Sequence, residues 1–458
     1  MTEHTCATPA VPRPGEREVH CPSLSARLLL GAIFLTYFTA TVLLFYFGPW
    51  VYPLGAGQGR LVVFLVAVHT AFGIGYLVGI LGAPRVGQFT VPVNTLLLTC
   101  VGLDLILLFP TSQLNTGSWV PNPWAALGDL GQAYTRSNFL KESTTPYVNY
   151  VRILLAPLLA LTAPMAVYAW PQLSRLTRIL FGVSIVGMLA LYTSMGANAG
   201  AGHWMALFPW YILAGHLSGV NRLTRRGWLI AGGVQGASVL LFALFFAATM
   251  TQRTGSFAKY GALPSIAATA KSAKTERGAG PGPRTARAGA VPAMHRSKAR
   301  IAADGLAGYL TQGYYAVYLS LQEPFVPTYG VGNSMFLQRQ VVRLTGDTSL
   351  LERPYPARIE DKGWNAYGYW ATIYPWIASD VTFPGTVLVV LLIGFLAGRV
   401  WVDVLGGQHV LAVAFLGQLL VMLYYFPGHN RTMHSGEGFV AFWGLFFAWL
   451  LSRRRVRA

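Results

Sequence analysis

Ten continuous apolar runs, each close to twenty residues long, leave this chain few folds to choose from. They fall at residues 27–47, 60–81, 91–109, 149–169, 178–195, 200–217, 228–250, 383–402, 408–427 and 436–451. A helix of that length crosses about 30 Å of hydrocarbon, and in lipid only helices and closed barrels satisfy every backbone N–H and C=O. Barrel strands would alternate apolar and polar side chains over roughly ten residues, and these runs do not. Composition agrees: 53% of the 458 residues are hydrophobic and 11% are charged, with a mean hydropathy of +0.46. The expected fold class is an all-α polytopic membrane protein with about ten transmembrane helices.

Short loops that hold Lys and Arg mark the cytoplasmic side of such a protein. Counting alternate loops puts Arg13, Arg17, Arg27, Arg85, Arg175, Arg178, Arg222, Arg225, Arg226, Arg399 and the tail "RRRVRA" on one side. On the other side "FGPWVYPLGAGQG" and "MGANAGA" carry no charge and "PGHNRTMHSGEG" carries one arginine. Both termini then face the cytoplasm, which an even number of spans requires. The organisation reads as a disordered, Pro-containing tail at 1–26, leading without a cleavage site into the first helix. A seven-helix bundle follows at 27–250, then one large external region at 251–382, a three-helix bundle at 383–451 and a basic tail at 452–458.

The external region opens with a basic, Gly- and Ala-rich segment at 251–307, expected to stay disordered because it has almost no large apolar side chain to bury. It holds ten Lys and Arg against Glu276 and Asp304, which accounts for eight of the eighteen formal positive charges of the chain. Long loops are exempt from the positive-inside rule, so the topology stands. The segment is either a solvated insertion or an electrostatic lure for anionic lipid or phosphate. A pI near 10.0 does not imply nucleic acid here, since no nucleic-acid-binding module accompanies the charge. Cys6 and Cys21 lie in the tail and Cys100 inside a span, so no disulfide framework is expected.

Chemistry is sought where polar residues are costly or concentrated. Within the spans stand His69, Asp104, Arg152 and His203. Asp104 and Arg152 lie near the outer ends of adjacent spans and are expected to pair, either as part of a functional site or to fix helix register. The two histidines are read as structural. No ladder of acidic residues crosses the spans.

In the external loop, "ADGLAGYLTQGYYAVYLSLQEPF" is only moderately apolar. It is expected to form an interfacial or re-entrant helix, broken at Gly308 and Gly313, at the depth that tyrosine prefers. Tyr309, Gln312, Tyr314 and Tyr315 suit a sugar groove, because aromatic faces stack on sugar rings. Asn333 is expected to cap a helix running through Arg343. On it Arg339 and Arg343 share one face at i, i+4, where two planar guanidinium forks suit a diphosphate or lipid headgroups. Arg353 and Arg358 follow, with Glu352, Glu360 and Asp361 available to neutralise them. "NAYGYWATIYPWIASD" reads as a half-helix interrupted by Pro375 and leading to Asp380. The last external loop gathers His429, Asn430, Arg431, His434 and Glu437. Two histidines five apart on a Gly-rich loop are not a metal-ligand signature, and a histidine base fits better.

"GYLTQGYYAVYLSLQEPFVPTYGVGNS" and "YWATIYPWIASDVTFPGTVLVVLLIGFLAGRVW" together resemble the Wzy-type O-antigen and capsule oligosaccharide repeat-unit polymerases, best over residues 308–402. The resemblance implies a GT-C-like fold in the bacterial cytoplasmic membrane and a metal-independent glycosyltransferase that needs no cofactor. Its substrate would be an undecaprenyl-diphosphate-linked oligosaccharide, and its partners other polysaccharide export proteins. The Arg-bearing external loops of the family match Arg339, Arg343 and Arg358 here, while Arg431 and Arg152 are further phosphate contacts to expect. Tyr309, Gln312, Tyr314, Tyr315 and Asn333 would line the sugar groove, with His429 as base and Asp380 as the second choice. Such polymerases often carry an arginine after the middle spans, where "SMGANAGAGHW" offers His203 and Asn198 instead. An O-antigen ligase-like transferase is the nearest alternative. A transporter of lipid-linked glycans is another, though no internal repeat supports it.

Overall fold

The computed structural model describes residues 22–87, 92–143, 147–259, 298–364, 369–407 and 409–454. Cys6, Cys21, most of the polar tail, most of the basic external segment and the last four residues lie outside the described residues. Helix dominates, and α1 (Leu24–Phe47) starts on Ser23, whose hydroxyl accepts from the Ala26 N–H and satisfies one of the four orphan donors of a helix start. Next come α2 (Gln58–Ile80), α3 (Val93–Thr116), α4 (Pro123–Gly128) and α5 (Leu130–Ser143), then α6 (Tyr147–Leu159) and α7 (Thr162–Tyr168). After these lie α8 (Arg175–Ser194), α9 (Ala199–Leu217), α10 (Arg225–Lys259), α11 (Lys298–Ser320), α12 (Met335–Thr345) and α13 (Tyr355–Arg358). The chain ends with α14 (Ile373–Leu405), α15 (Val410–Tyr425), α16 (Arg431–His434) and α17 (Gly436–Ser452). Two-residue strands, β1 (Val86–Gly87) and β2 (Arg453–Arg454), pair antiparallel.

Among the described residues seven segments are long and apolar enough to cross a membrane: α1, α2, α3, the α6–α7 pair, α8, α10 through Met250, and α14. The chain is a multi-pass membrane protein. Of the other three expected spans, α15 and α17 are apolar but shorter, and α9 carries His203, Trp204, Pro209 and His216 along its length. Three corrections concern loops. Residues 251–259 extend α10 and 298–307 open α11, so helix enters both ends of the segment expected to be disordered. Gly308 and Gly313 do not break α11. Gly313 lets the helix touch its neighbours, since a Cβ there would meet the Pro427 carbonyl oxygen at 2.5 Å. Ser334, rather than Asn333, caps α12, accepting from the Leu337 N–H at 3.2 Å.

The most extensive helix pair is α2 with α14, and small residues bring the backbones together. A Cβ at Gly75 would stand 1.9 Å from the Leu391 oxygen, and one at Gly79 2.3 Å from that of Phe395. From the other side, Gly394 would meet the Phe72 oxygen at 2.3 Å and Gly398 that of Tyr76 at 2.5 Å. In lipid, where apolar burial does not drive helices together, such small-xxx-small approach supplies the packing. α14 also bends at Thr382, whose φ is +68°. Pro384 lacks the N–H that would have continued the ladder there. Pro375 sits within the first turn of α14 and does not interrupt it.

The two ends of the bundle differ. At one end Arg27 donates to the Ile80 oxygen at 3.1 Å, Trp401 to the Ala26 oxygen at 2.8 Å, and the β1–β2 ladder joins the loop after α2 to the end of α17. At the opposite end α12, α13, α16 and the turns around 328–333 and 426–435 meet.

Candidate functional site

The turn between α15 and α17 is built on Tyr425, whose carbonyl accepts from the N–H groups of Gly428 at 2.9 Å and His429 at 2.8 Å. Two anchors fix it to the external loop. Asn430 donates to the Asn333 backbone oxygen at 2.8 Å and its side-chain oxygen at 2.6 Å, and Ser334 donates to the Met433 oxygen at 2.6 Å. These bonds set α12 beside α16, so Arg339 and Arg431 both bear electrostatically on His434.

Rings form a continuous wall behind this turn. Tyr309 meets Trp370 with ring centres 4.5 Å apart. Trp370 stacks on His429 at 5.8 Å, His429 meets His434 edge-on at 4.6 Å, and His434 meets Trp376 at 4.3 Å. Buried polar atoms without a protein partner concentrate in the same place: both ring nitrogens of His434, Trp376 Nε1, Asn430 Oδ1 and Thr432 Oγ1. Burial and the Arg431 guanidinium push the His429 imidazole down to about 3. Burial, His429, Arg339 and Arg431 hold His434 well below its ordinary value. Both rings are neutral in the folded protein near pH 7. Arg431 also bears on His203 and Tyr425, which bond to one another at 3.0 Å. Among the described residues neither Arg431 nor Arg339 forms an ion pair.

Beneath the turn lies a cavity of about 320 Å³ lined by Asp104, Arg152, Thr162, Tyr192, His203 and Glu437 among others. The expected Asp104–Arg152 pair is not formed. Arg152 instead donates Nε and Nη2 to the two Glu437 oxygens at 2.8 and 2.9 Å, and Nη1 to Thr111 at 3.3 Å. The fork of a guanidinium matches a carboxylate bidentately, and α6 packs directly on α17, whereas Asp104 lines the cavity and acts on Arg152 without bonding to it.

Several expected site residues fall elsewhere. Asp380 is held as a clamp: its oxygens accept from Thr328 Oγ1 at 2.5 Å and from the N–H groups of Gly332 and Asn333 at 2.8 Å each. It fixes the turn in which Tyr329 adopts φ +56°. Tyr314 is 1% exposed and shares a hydrogen bond with Thr41 at 2.8 Å, so it is core and not a sugar shelf. Tyr315 packs against Tyr52, Tyr318 and Trp364, away from His429. Gln312 is half-buried on the Tyr309 side of α11. Arg358 is paired with Glu323 at 3.0 Å, not with Glu360 or Asp361, and Lys362 joins at 2.6 Å. Lys362 and Arg358 together hold the Glu323 carboxyl below its usual range. Arg343 is exposed and donates to the Tyr150 hydroxyl at 2.9 Å, one helical turn beyond Arg339. The structure therefore gathers Tyr309, Asn333, Arg339, His429 and Arg431, with Asp380 bonded to the Asn333 N–H, and separates Tyr314, Tyr315 and Arg358. Trp370 and Trp376, passed over by sequence reasoning, lay in plain view in "YWATIYPW", yet nothing in that run says which rings face His429. No family model, no curated protein and no solved structure matches the chain.

Proposed function

We propose that this membrane protein transfers glycans between diphosphate-linked lipid carriers, as a metal-independent polymerase of oligosaccharide repeat units acting outside the cytoplasmic membrane. One observation carries the reading: Arg431 lies among His203, His429, His434 and Tyr425 with no carboxylate paired to it among the described residues. A cation kept out of ion pairs beside a neutral histidine suits a site where the substrate brings the negative charge.

The chemistry follows from that pairing. The acceptor sugar hydroxyl attacks the anomeric carbon of the donor glycan, forming the new C–O bond as the bond from that carbon to the diphosphate oxygen breaks. The electron pair leaves on the lipid diphosphate, where Arg431 and Arg339 stabilise the charge. The hydroxyl proton passes to His429. An imidazole held down to about 3 is a weak base on its own. Burial is the larger cause of that depression and Arg431 the lesser, so an anion that neutralises Arg431 lifts the base by the smaller part. Substrate binding and base activation are thereby one event. Tyr309 and Trp370 offer the sugar an aromatic face.

The test is reconstitution of the purified protein with lipid-linked repeat units, comparing wild type with Arg431→Ala. Ladders of increasing chain length from wild type, lost from an inserted, folded Arg431→Ala, are the expected result. A single transfer onto a different lipid would turn the reading to a ligase. Turnover unaffected by Arg431→Ala would remove the anion role.

A further inference from the structure

At the end of the bundle opposite the histidine turn, one carboxylate collects an unusual set of donors. Asp403 is fully buried and accepts from Arg399 Nη2 at 2.5 Å, Arg453 Nε at 3.0 Å, Trp449 Nε1 at 3.1 Å and the Arg85 backbone N–H at 2.9 Å. Both of its oxygens are therefore spent. Two guanidinium groups touch it, those of Arg399 and Arg453, and the Arg85 side chain leaves the chain at the backbone N–H that bonds it. Arg399 and Arg85 both bear electrostatically on Arg453, and Arg399 on Arg27. His409 packs beside the same group and adds no negative charge.

The surplus is local. Arg399 is 7% exposed, its Nη2 also reaches the Ala83 oxygen, and its Nε has no protein partner. The Arg85 side chain, unlike its backbone, makes no hydrogen bond or ion pair among the described residues. Like charges gathered in a partly desolvated place are costly unless a counter-charge joins them. The helix ends involved, α1, α2, α14 and α17, are where headgroups of the adjoining leaflet sit, and basic pockets between membrane helices take phosphate-bearing headgroups.

The geometry points to a binding site for a phosphate-bearing anion at Arg27, Arg85, Arg399 and Arg453, filled by the headgroup of an anionic phospholipid. The site is independent of glycan transfer and stands whether or not that reading does. Its ligand would tie the loop after α2 to the end of α17, which β1–β2 and Asp403 already join.

Native mass spectrometry of the full chain in detergent tests it, titrating palmitoyl-oleoyl phosphatidylglycerol or palmitoyl-oleoyl phosphatidylcholine, with sodium phosphate as a third arm. Phosphatidylglycerol should be retained in preference to phosphatidylcholine. Arg85→Gln should weaken that retention about fivefold, the effect of removing one near-surface cation, while Arg85→Lys keeps most of it. Arg85 is chosen because its side chain holds nothing else in place. Displacement of the lipid by inorganic phosphate would support the same anion site and name a soluble occupant. Equal retention of the two lipids by wild type, with no effect of phosphate, overturns the proposal, as does an Arg85→Gln protein that holds phosphatidylglycerol as well as wild type.

Discussion

Across α6 and α17, the guanidinium of Arg152 and the carboxylate of Glu437 meet in two parallel hydrogen bonds of 2.8 and 2.9 Å. The arginine side chain is 14% exposed and the glutamate 40%, so removing the carboxylate strands a largely buried cation while solvent screens part of the loss. Glu437→Ala should cost about 1–3 kcal/mol. In a double-mutant cycle with Arg152→Ala, the coupling should reach about 1 kcal/mol or more. Strictly additive losses in detergent unfolding would show that the pair contributes nothing.

Asp380 is the second choice of proton acceptor from sequence, and in the structure both of its oxygens already accept hydrogen bonds. Asp380→Asn keeps one acceptor oxygen but turns an NH₂ group toward an N–H donor of the 328–333 turn. The expected result is about 1–3 kcal/mol of lost stability and faster proteolysis at that turn, with an unshifted pH–rate profile in the surviving protein. A shift of the acid limb would restore Asp380 as a base.

The tyrosines of α11 divide by neighbour. Tyr314→Phe should lose about 1 kcal/mol, the worth of its bond to Thr41, and leave product length unchanged. Trp370→Ala removes the ring between Tyr309 and His429. A stacking loss of about 1 kcal/mol corresponds to roughly fivefold weaker acceptor binding, read as a raised KM. Shortened products from Tyr314→Phe would count against this division.

The apolar runs made the helices legible, because a span announces itself in any sequence through twenty residues without charge. Partnership was not legible in the same way. The order of residues gives no reason to prefer Glu437 over Asp104 as the mate of Arg152, since both lie near the outer ends of spans and only the packing of α6 on α17 decides. The same holds for Arg358, whose nearest carboxylates in sequence are Glu360 and Asp361 but whose partner is Glu323. Tyr314 looked like a binding residue because tyrosine is amphipathic, and only its seat against Thr41 reveals a core role. A signal that was present went unused: Gly75 and Gly79, and Gly394 and Gly398, each four apart, announce the close α2–α14 contact.

His429 offers a prediction whose sign can be worked out. Its folded-state pKa is about 3, below the roughly 6.5 of an unperturbed histidine, so the native ring is neutral where the unfolded ring takes up a proton. The stability tied to this neutral ring is fully present above about pH 6.5. It is lost as pH falls toward 3, by up to about 1.4 kcal/mol per pH unit for one group. His434 is depressed in the same direction and steepens the wild-type slope. In His429→Gln that contribution is gone, so the difference in unfolding free energy between wild type and variant should change between pH 7 and pH 5, with wild type losing more on acidification. A soluble diphosphate that occupies Arg431 should flatten the wild-type slope, because the anion offsets one of the two causes of the depression. A difference between the two proteins that is constant with pH would mean that the ring titrates normally in the folded state, and the link between anion binding and base strength would fall with it.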